Sequence, residues 1–467
     1  MTGLRQLLGG QRQTGVLLHL TALPGKGALG GFGAAARSWI DLLGARGIGV
    51  WQVLPLAPTD GTGSPYSSPS SFALNPAFVD PDQPEPAWTG EQRQACRRWC
   101  AAQDDWLPDH ARFLVLRQRF AGQPWWTWPE PLRRRSRSAL AQLDREEAEA
   151  LQREAERQWW LEQQWQALRH HARDRGVQLL GDLPFYVAHD SADVWSRPGL
   201  FSVRADGSLS EQSGVPPDYF AATGQLWSTP VYRWRRHRLS GFRWWLRRLE
   251  RQLDCFDLLR LDHFRALEAY WSVPGEDRTA EHGCWRPSPG QALLAALQRR
   301  RGTPLPLVAE DLGVITPPVE ALRDRFGLPG MKVLQFAFDG DPANAYLPHN
   351  YGGGSWVVYT GTHDNATALG WWSALAPDAR GQMEGLLGHP VQSPPWELLR
   401  LALASTADLA VVPLQDLMSL DDRARFNTPG TASGNWSWRL PCPIDDLAGH
   451  LDGLAAMASL YGRGCRR

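Results

Sequence analysis

The sequence predicts an α/β fold: a (β/α)8 TIM barrel with inserted, mostly helical subdomains at the C-terminal ends of its strands. Three observations carry this expectation. The chain has 467 residues, enough for a barrel that routinely exceeds about 200 residues as one domain. Eight short runs rich in Val, Leu and Ile recur along it, several of them followed by helical text. Most of those runs end in charged residues, and in a barrel of parallel strands these ends share the face that carries the active site.

Taken in order, the first run is "GVLLHL" from Gly15, and "FGAAARSWIDLLGARG" behind it has helical spacing. The second is "GVWQVLPL" from Gly49. An interval over 60–175 then follows that is too long for a simple crossover; it reads as an insertion after strand 2, largely helical and tryptophan-rich in "QPWWTWPE". The third run is "VQLLGDLPF" from Val177, followed by a second insertion over 186–253. The remaining five are "FDLLRLDHF" from Phe256, "PLVAEDL" from Pro306, "MKVLQFAF" from Met331, "WVVYTGTHD" from Trp356 and "LAVVPLQDL" from Leu409, with "PPVEALRDRFG" as the helix after the fifth. No low-complexity linker divides the chain, so 1–467 reads as a single catalytic barrel.

Composition narrows the function. Lys plus Arg and Asp plus Glu both number 49, a net charge of zero that asks for neither nucleic acid nor an anionic membrane as partner. The runs Arg133-Arg134-Arg135 and Arg299-Arg300-Arg301 adjoin acidic helical text and read as solvated helix faces. Six scattered cysteines form no metal-ligand pattern and no disulfide framework. With no signal-peptide text and no apolar span, a cytoplasmic monomer is expected. The asparagines of the sequons at Asn365 and Asn435 are then free of glycans.

The strand-end charges are Asp182, Arg260 with Asp262, Glu310 with Asp311, His363 with Asp364, and Asp416. Residues i and i+2 of a strand point the same way, so Arg260 and Asp262 project together, and the cation favours the ionised carboxylate. A structural ion pair would explain any one strand end; five of them ending in acids on one face suit it poorly. The chain lacks His-Glu-x-x-His, paired Cys-x-x-Cys and a phosphate-cradling P-loop, so it carries no metal signature. Glycosyl transfer needs only carboxylates: one attacks the anomeric carbon and another protonates the departing oxygen. The 24 tryptophans suit sugar stacking weakly, since most aromatics are core. "GKGALG" at 25–30 matches a dinucleotide fingerprint, but the next strand has no acid to hold a ribose, so its glycines read as turn residues.

Ten segments in order, "TGVLLHLTALPG", "VWQVLPLAPT" with "SPYSSPSSFALNP", "GDLPFYVAHDSADVW", "GVPPDYFAATGQLW", "LRLDHFRALEAYW", "AEDLG", "GMKVLQFAF", "YTGTHDN" and "NTPGTASGNWSWRL", resemble the 4-α-glucanotransferase family, also called amylomaltase or disproportionating enzyme, glycoside hydrolase family 77. The resemblance covers essentially the whole chain. It implies retaining transfer between α-1,4-glucans or maltooligosaccharides, without a cofactor. Carried over by residue, it makes Asp262 the nucleophile, Glu310 the general acid and then base, and Asp364 the carboxylate that holds ring hydroxyls of the distorted sugar. Arg260 and His363 would hydrogen-bond nucleophile and sugar. Ser64 and Tyr66 of "SPY" and Asp182 of "GDLPF" would line the substrate, with Tyr66 against the reacting glucose. Asp218, Tyr219 and Phe220 resemble a mobile loop over the cleft, Gln225 and Trp227 lie beyond it, and Asn435 of "GNWSW" is a further contact. This chain departs from the family pattern at Ser228-Thr229-Pro230, at Arg233 and at Ala366; none is catalytic, so acceptor preference and loop mobility are what these departures touch.

Two other readings compete. A hydrolase of the α-amylase kind would share barrel and carboxylates, but a C-terminal β-domain and calcium-site text are not evident. A catalytically dead glucan-binding module would have no need of Asp262, Glu310 and Asp364 together.

Overall fold

The computed structural model describes residues 2–25, 29–83, 88–217, 222–431 and 433–464. Each of the eight apolar runs contributes one strand to a single parallel sheet: β1 (Gln13–Leu17), β2 (Val50–Gln52), β3 (Gln178–Leu183), β4 (Leu258–Leu261), β5 (Leu307–Ala309), β6 (Gly330–Val333), β7 (Trp356–Tyr359) and β8 (Leu409–Pro413). Their order is β6-β7-β8-β1-β2-β3-β4-β5, and the Ala309 N–H donates to the Pro329 carbonyl at 2.8 Å, drawing the two edges together. Almost every strand residue is buried. Sheets covered by helices on the outside and by packed side chains within read as unbroken apolar runs rather than alternation.

The helix Ala34–Ala45 shows why the intervening text is helical. Ala36, Trp39, Ile40 and Leu43 are its buried residues, an i, i+3, i+4, i+7 stripe that faces the hydrophobic core. Gly181 of β3 serves close packing instead, because a Cβ there would stand 2.2 Å from the Phe256 ring. Only glycine lets that ring lie flat on the strand while its neighbour Asp182 points inward.

Between β2 and β3 the chain forms a helical layer that includes Gly90–Ala102, Leu107–Arg119, Arg137–Glu146 and the 27-residue helix Ala148–Asp174. Thr89 and Gln92 form a reciprocal capping box at its first helix. Trp125 and Trp128 of "QPWWTWPE" are buried, and Trp128 packs on Phe113 and Trp195 at 5.5 and 5.6 Å between ring centroids. Trp125 and Trp128 here build a core, and the half-buried Trp126 stacks on His189 at 3.9 Å.

The second insertion has helices and, in addition, an antiparallel sheet that the sequence pattern does not announce. Strands Glu211–Val215 and Gln225–Pro230 form a hairpin and join Ala269–Pro274 and Cys284–Pro287, which follow β4. The helix Arg243–Cys255 closes the insertion. Its Arg248, 1% exposed, donates to the carbonyls of Pro184, Phe185 and Tyr186 and so fixes the chain just beyond β3.

Candidate active site

The site is assembled by strand register. β3 and β4 pair so that Asp182 stands opposite Arg260. Arg260 Nη1 donates to both Asp182 oxygens at 2.8 Å and reaches Asp262 Oδ1 at 2.9 Å. The ladder continues past the strand ends: the Asp262 N–H donates to Leu183, and the Glu310 N–H to Leu261. These bonds set Asp262 and Glu310 at neighbouring strand mouths. His263 follows with φ +49, a left-handed conformation costly for a side chain of its size. The turn aims its N–H at Glu310 Oε2, 2.7 Å away, while the Leu312 N–H binds Oε1 at 3.0 Å.

A second line of contacts reaches the other wall. The Tyr66 hydroxyl donates to Asp182 Oδ2 at 2.7 Å. Its ring stacks on His363 at 5.2 Å with planes 11° apart, and His363 Nε2 is 3.3 Å from Asp364 Oδ1. Asn427 donates to that same Oδ1 at 2.6 Å. Asp364, His363, Tyr66, Asp182, Arg260 and Asp262 therefore form one continuous chain of contacts. Within it Asp364 and Asp262 are the accessible carboxylates, 45% and 29% exposed at the side chain, whereas Asp182 is at 0%.

The electrostatics separate the acids. Burial pushes Glu310 up to about 7; Asp262 adds to the rise, while Arg260 and the two backbone N–H groups pull down. Burial also raises Asp182, against the pull of Arg260. For Arg260 burial opposes the charge, and the two aspartates more than offset it. An acid that holds its proton to neutral pH can donate it to a leaving group.

Two consequences can be measured. Arg260→Met should leave Asp182 as a buried unpaired carboxylate and lower stability by about 3–5 kcal/mol; adding Asp182→Asn should return part of that loss in urea unfolding. A Glu310 value raised above the ordinary 4.5 means that the folded state binds the extra proton. Its favourable contribution is then complete below about 4.5 and lost as pH rises through about 7. Glu310→Gln should accordingly gain about 1–3 kcal/mol relative to the wild-type chain between pH 4.5 and pH 8, read from calorimetric Tm values.

Two of the strand-end acids, Asp311 and Asp416, stand off this chain of contacts. Asp311 faces away, pairing with Arg323 at 2.5 Å and accepting from the Met331 N–H. Asp416 is buried and accepts from Thr360 and the Ala368 N–H. Ser64 accepts from the Tyr66 N–H and shapes that turn. The Asn435 side chain is engaged within its own loop, with Thr428 and Thr431. Trp227, on the return strand of the hairpin, sets its ring 4.9 Å from His263 and 5.9 Å from Tyr186, and Gln225 accepts weakly from its indole at 3.4 Å. Asp218, Tyr219 and Phe220 lie outside the described residues.

The departures at Thr229, Arg233 and Ala366 fall on supporting contacts: Thr229 bonds Ser213, Arg233 the Val203 carbonyl, and the Ala366 carbonyl accepts from Gln335. Three contributors have no role in the sequence reading, namely His263, Asn427 and Trp436. Trp436 has φ +62 and lies 5.8 Å from Tyr66 and 6.0 Å from His363. All three sit inside the quoted motifs, beside residues that do carry roles.

A nearly closed parallel barrel with a low-exposure cation, an accessible aspartate, a proton-holding glutamate and a third carboxylate at its mouth defines a glycan-processing barrel enzyme. A family model described as 4-α-glucanotransferase matches residues 18–89 and 83–445. Relatives include a 4-α-glucanotransferase of Synechocystis sp., 41% identical over 97% of this chain and 98% of its own length. Another is that of Thermus thermophilus, 43% identical over 92% and 95%. Among solved structures, the amylomaltase from Streptococcus agalactiae in complex with acarbose superposes with a TM-score of 0.90 at 31% identity, covering 97% of this chain and 100% of that one. The chain belongs to the 4-α-glucanotransferase family, of the glycoside hydrolase 77 type.

Proposed function

We propose that this protein transfers segments of α-1,4-glucan from a donor maltooligosaccharide to the 4-hydroxyl of an acceptor, with Asp262 as nucleophile. Glu310 protonates the departing 4-oxygen as Asp262 closes the covalent bond to the anomeric carbon; the same Glu310, now a carboxylate, takes the proton of the incoming hydroxyl. The observation that carries this is the division between an accessible aspartate beside Arg260 and a buried glutamate raised to about 7. Asp364, oriented by His363 and Asn427, holds sugar hydroxyls, and the hydrogen-bonded Tyr66 presents its ring beside the reacting glucose. Ser64, Asn435, Gln225 and Trp227 extend the substrate path. Asp182 acts on substrate through Arg260 and Tyr66.

Transfer prevails over hydrolysis when an acceptor sugar, and not water, reaches the intermediate. Trp227, on the strand Gln225–Pro230, sets its ring against His263; Asp218, Tyr219 and Phe220, which precede that strand in sequence and lie outside the described residues, are the lid in this reading. The chain acts as one catalytic unit, 1–467, with insertions over 60–175 and 186–253, as a cytoplasmic monomer in glycogen or starch metabolism. Five free thiols among the described residues suit a reducing compartment, and among those residues no helix is long and apolar enough to cross a membrane.

Incubation with maltotriose alone tests the reaction. The expected result is free glucose with a ladder of longer maltooligosaccharides at a constant number of reducing ends. A rising reducing-end count with only shorter products would make the enzyme a hydrolase.

A further inference from the structure

A cavity of about 370 Å³ lies where the two insertions meet, apart from the catalytic chain of contacts. Four arginines line it, Arg197, Arg236, Arg243 and Arg247, with Asp105 as the one carboxylate and Trp244 in the floor. A net-neutral chain has gathered a local positive excess there, and like charges so placed repel unless something anionic sits among them.

The walls are preformed. Asp105 ties two of them: its Oδ2 accepts from Arg247 Nε at 3.1 Å, and its carbonyl accepts from Arg197 Nη2. Arg247 Nη2 also donates to Gln103 at 2.7 Å. The third wall is held by His237, whose Nε2 meets the Leu200 carbonyl at 3.2 Å. Beside it, Gly199 leaves room for Arg236: a Cβ there would stand 2.5 Å from Arg236 Nη1. Arg197 and Arg247 are thus held in place, while Arg236 and Arg243 are exposed and have no ion-pair partner among the described residues.

We propose that this cavity is a second binding site, for a phosphorylated monosaccharide, with Arg236 and Arg243 gripping the phosphate. Guanidinium forks match phosphate oxygens two at a time. An inorganic anion has no use for the apolar floor, whereas the C–H face of a sugar ring packs on an indole. A neutral glucan would leave the arginine repulsion unrelieved. The volume lies within the ordinary range of small-molecule sites, about 300–1,000 Å³. The inference does not depend on the catalytic assignment, because none of these residues belongs to that site.

Calorimetric titration of the whole protein with glucose 6-phosphate, glucose and inorganic phosphate, near 0.15 M salt, tests it. Glucose 6-phosphate should bind at one site with a sub-millimolar Kd, and inorganic phosphate at least about tenfold more weakly. Arg236→Ala/Arg243→Ala should weaken glucose 6-phosphate by at least about tenfold, with Tm and maltotriose disproportionation unchanged. Asp262→Ala, which alters only the catalytic site, should leave that binding intact. Absence of binding up to about 10 mM, equal binding by the double variant, or loss of binding in Asp262→Ala would overturn the proposal. Phosphate as tight as its sugar ester would mean a plain anion pocket and would overturn it too.

Discussion

Replacing Asp262 with alanine is expected to lower turnover of maltotriose on the order of 10⁴-fold or more, the scale of removing a nucleophile that acts together with its partners. The loss should be chemical and not structural. Arg260 keeps both bonds to Asp182, and the Asp262 side chain is partly exposed, so the variant should melt close to the wild-type chain. Azide offered with maltosyl fluoride makes the role specific. With the carboxylate gone, azide can attack the anomeric carbon from the vacated side, and a glycosyl azide of inverted configuration should accumulate. Asp364→Asn, which also damages activity, should yield none. If Asp262→Ala keeps near-native turnover, the nucleophile is another residue.

Glu310→Gln should cost about 10²–10⁴-fold on maltooligosaccharides, the range of a positioned general acid. The penalty should shrink for maltosyl fluoride in the first step, because fluoride leaves without protonation. The second step still lacks its base, so a burst of fluoride and a covalent glycosyl-enzyme visible by mass are expected. Wild-type kcat/KM should fall as pH rises through about 7, where Glu310 loses its proton. That alkaline limb should vanish for maltosyl fluoride when the first step alone is followed. An equal loss for both donors would remove Glu310 from the acid role.

Both predictions start from residues legible in the sequence, and the reason is local. Strand runs are marked by uninterrupted Val, Leu and Ile because each strand is covered on both faces, and their ends are marked because polar side chains collect where the sheet meets solvent. The resemblance then placed Asp262, Glu310 and Asp364 in named motifs. The sheet of Glu211–Val215, Gln225–Pro230, Ala269–Pro274 and Cys284–Pro287 was not legible. Its strands are short, of mixed burial and drawn from both sides of β4, so no single window shows their pairing.

The strand ends show where the two levels of information divide. Asp182, Asp262, Glu310, Asp311, Asp364 and Asp416 look alike as acids closing apolar runs. Period-two alternation already turns Asp311 away from Glu310, but only the fold supplies Arg323 to receive it. Only the register of β3 against β4 sets Asp182 across from Arg260, and only the packing around Asp416 commits it to Thr360 and Ala368. The eight-strand barrel and the chemical types at its mouth are written in residue spacing within each strand, and need nothing further to be read. Which acid attacks, which holds its proton and which merely supports the frame follows from the folded arrangement. Proton affinity and exposure depend on burial and charges that residues far apart in the chain bring together.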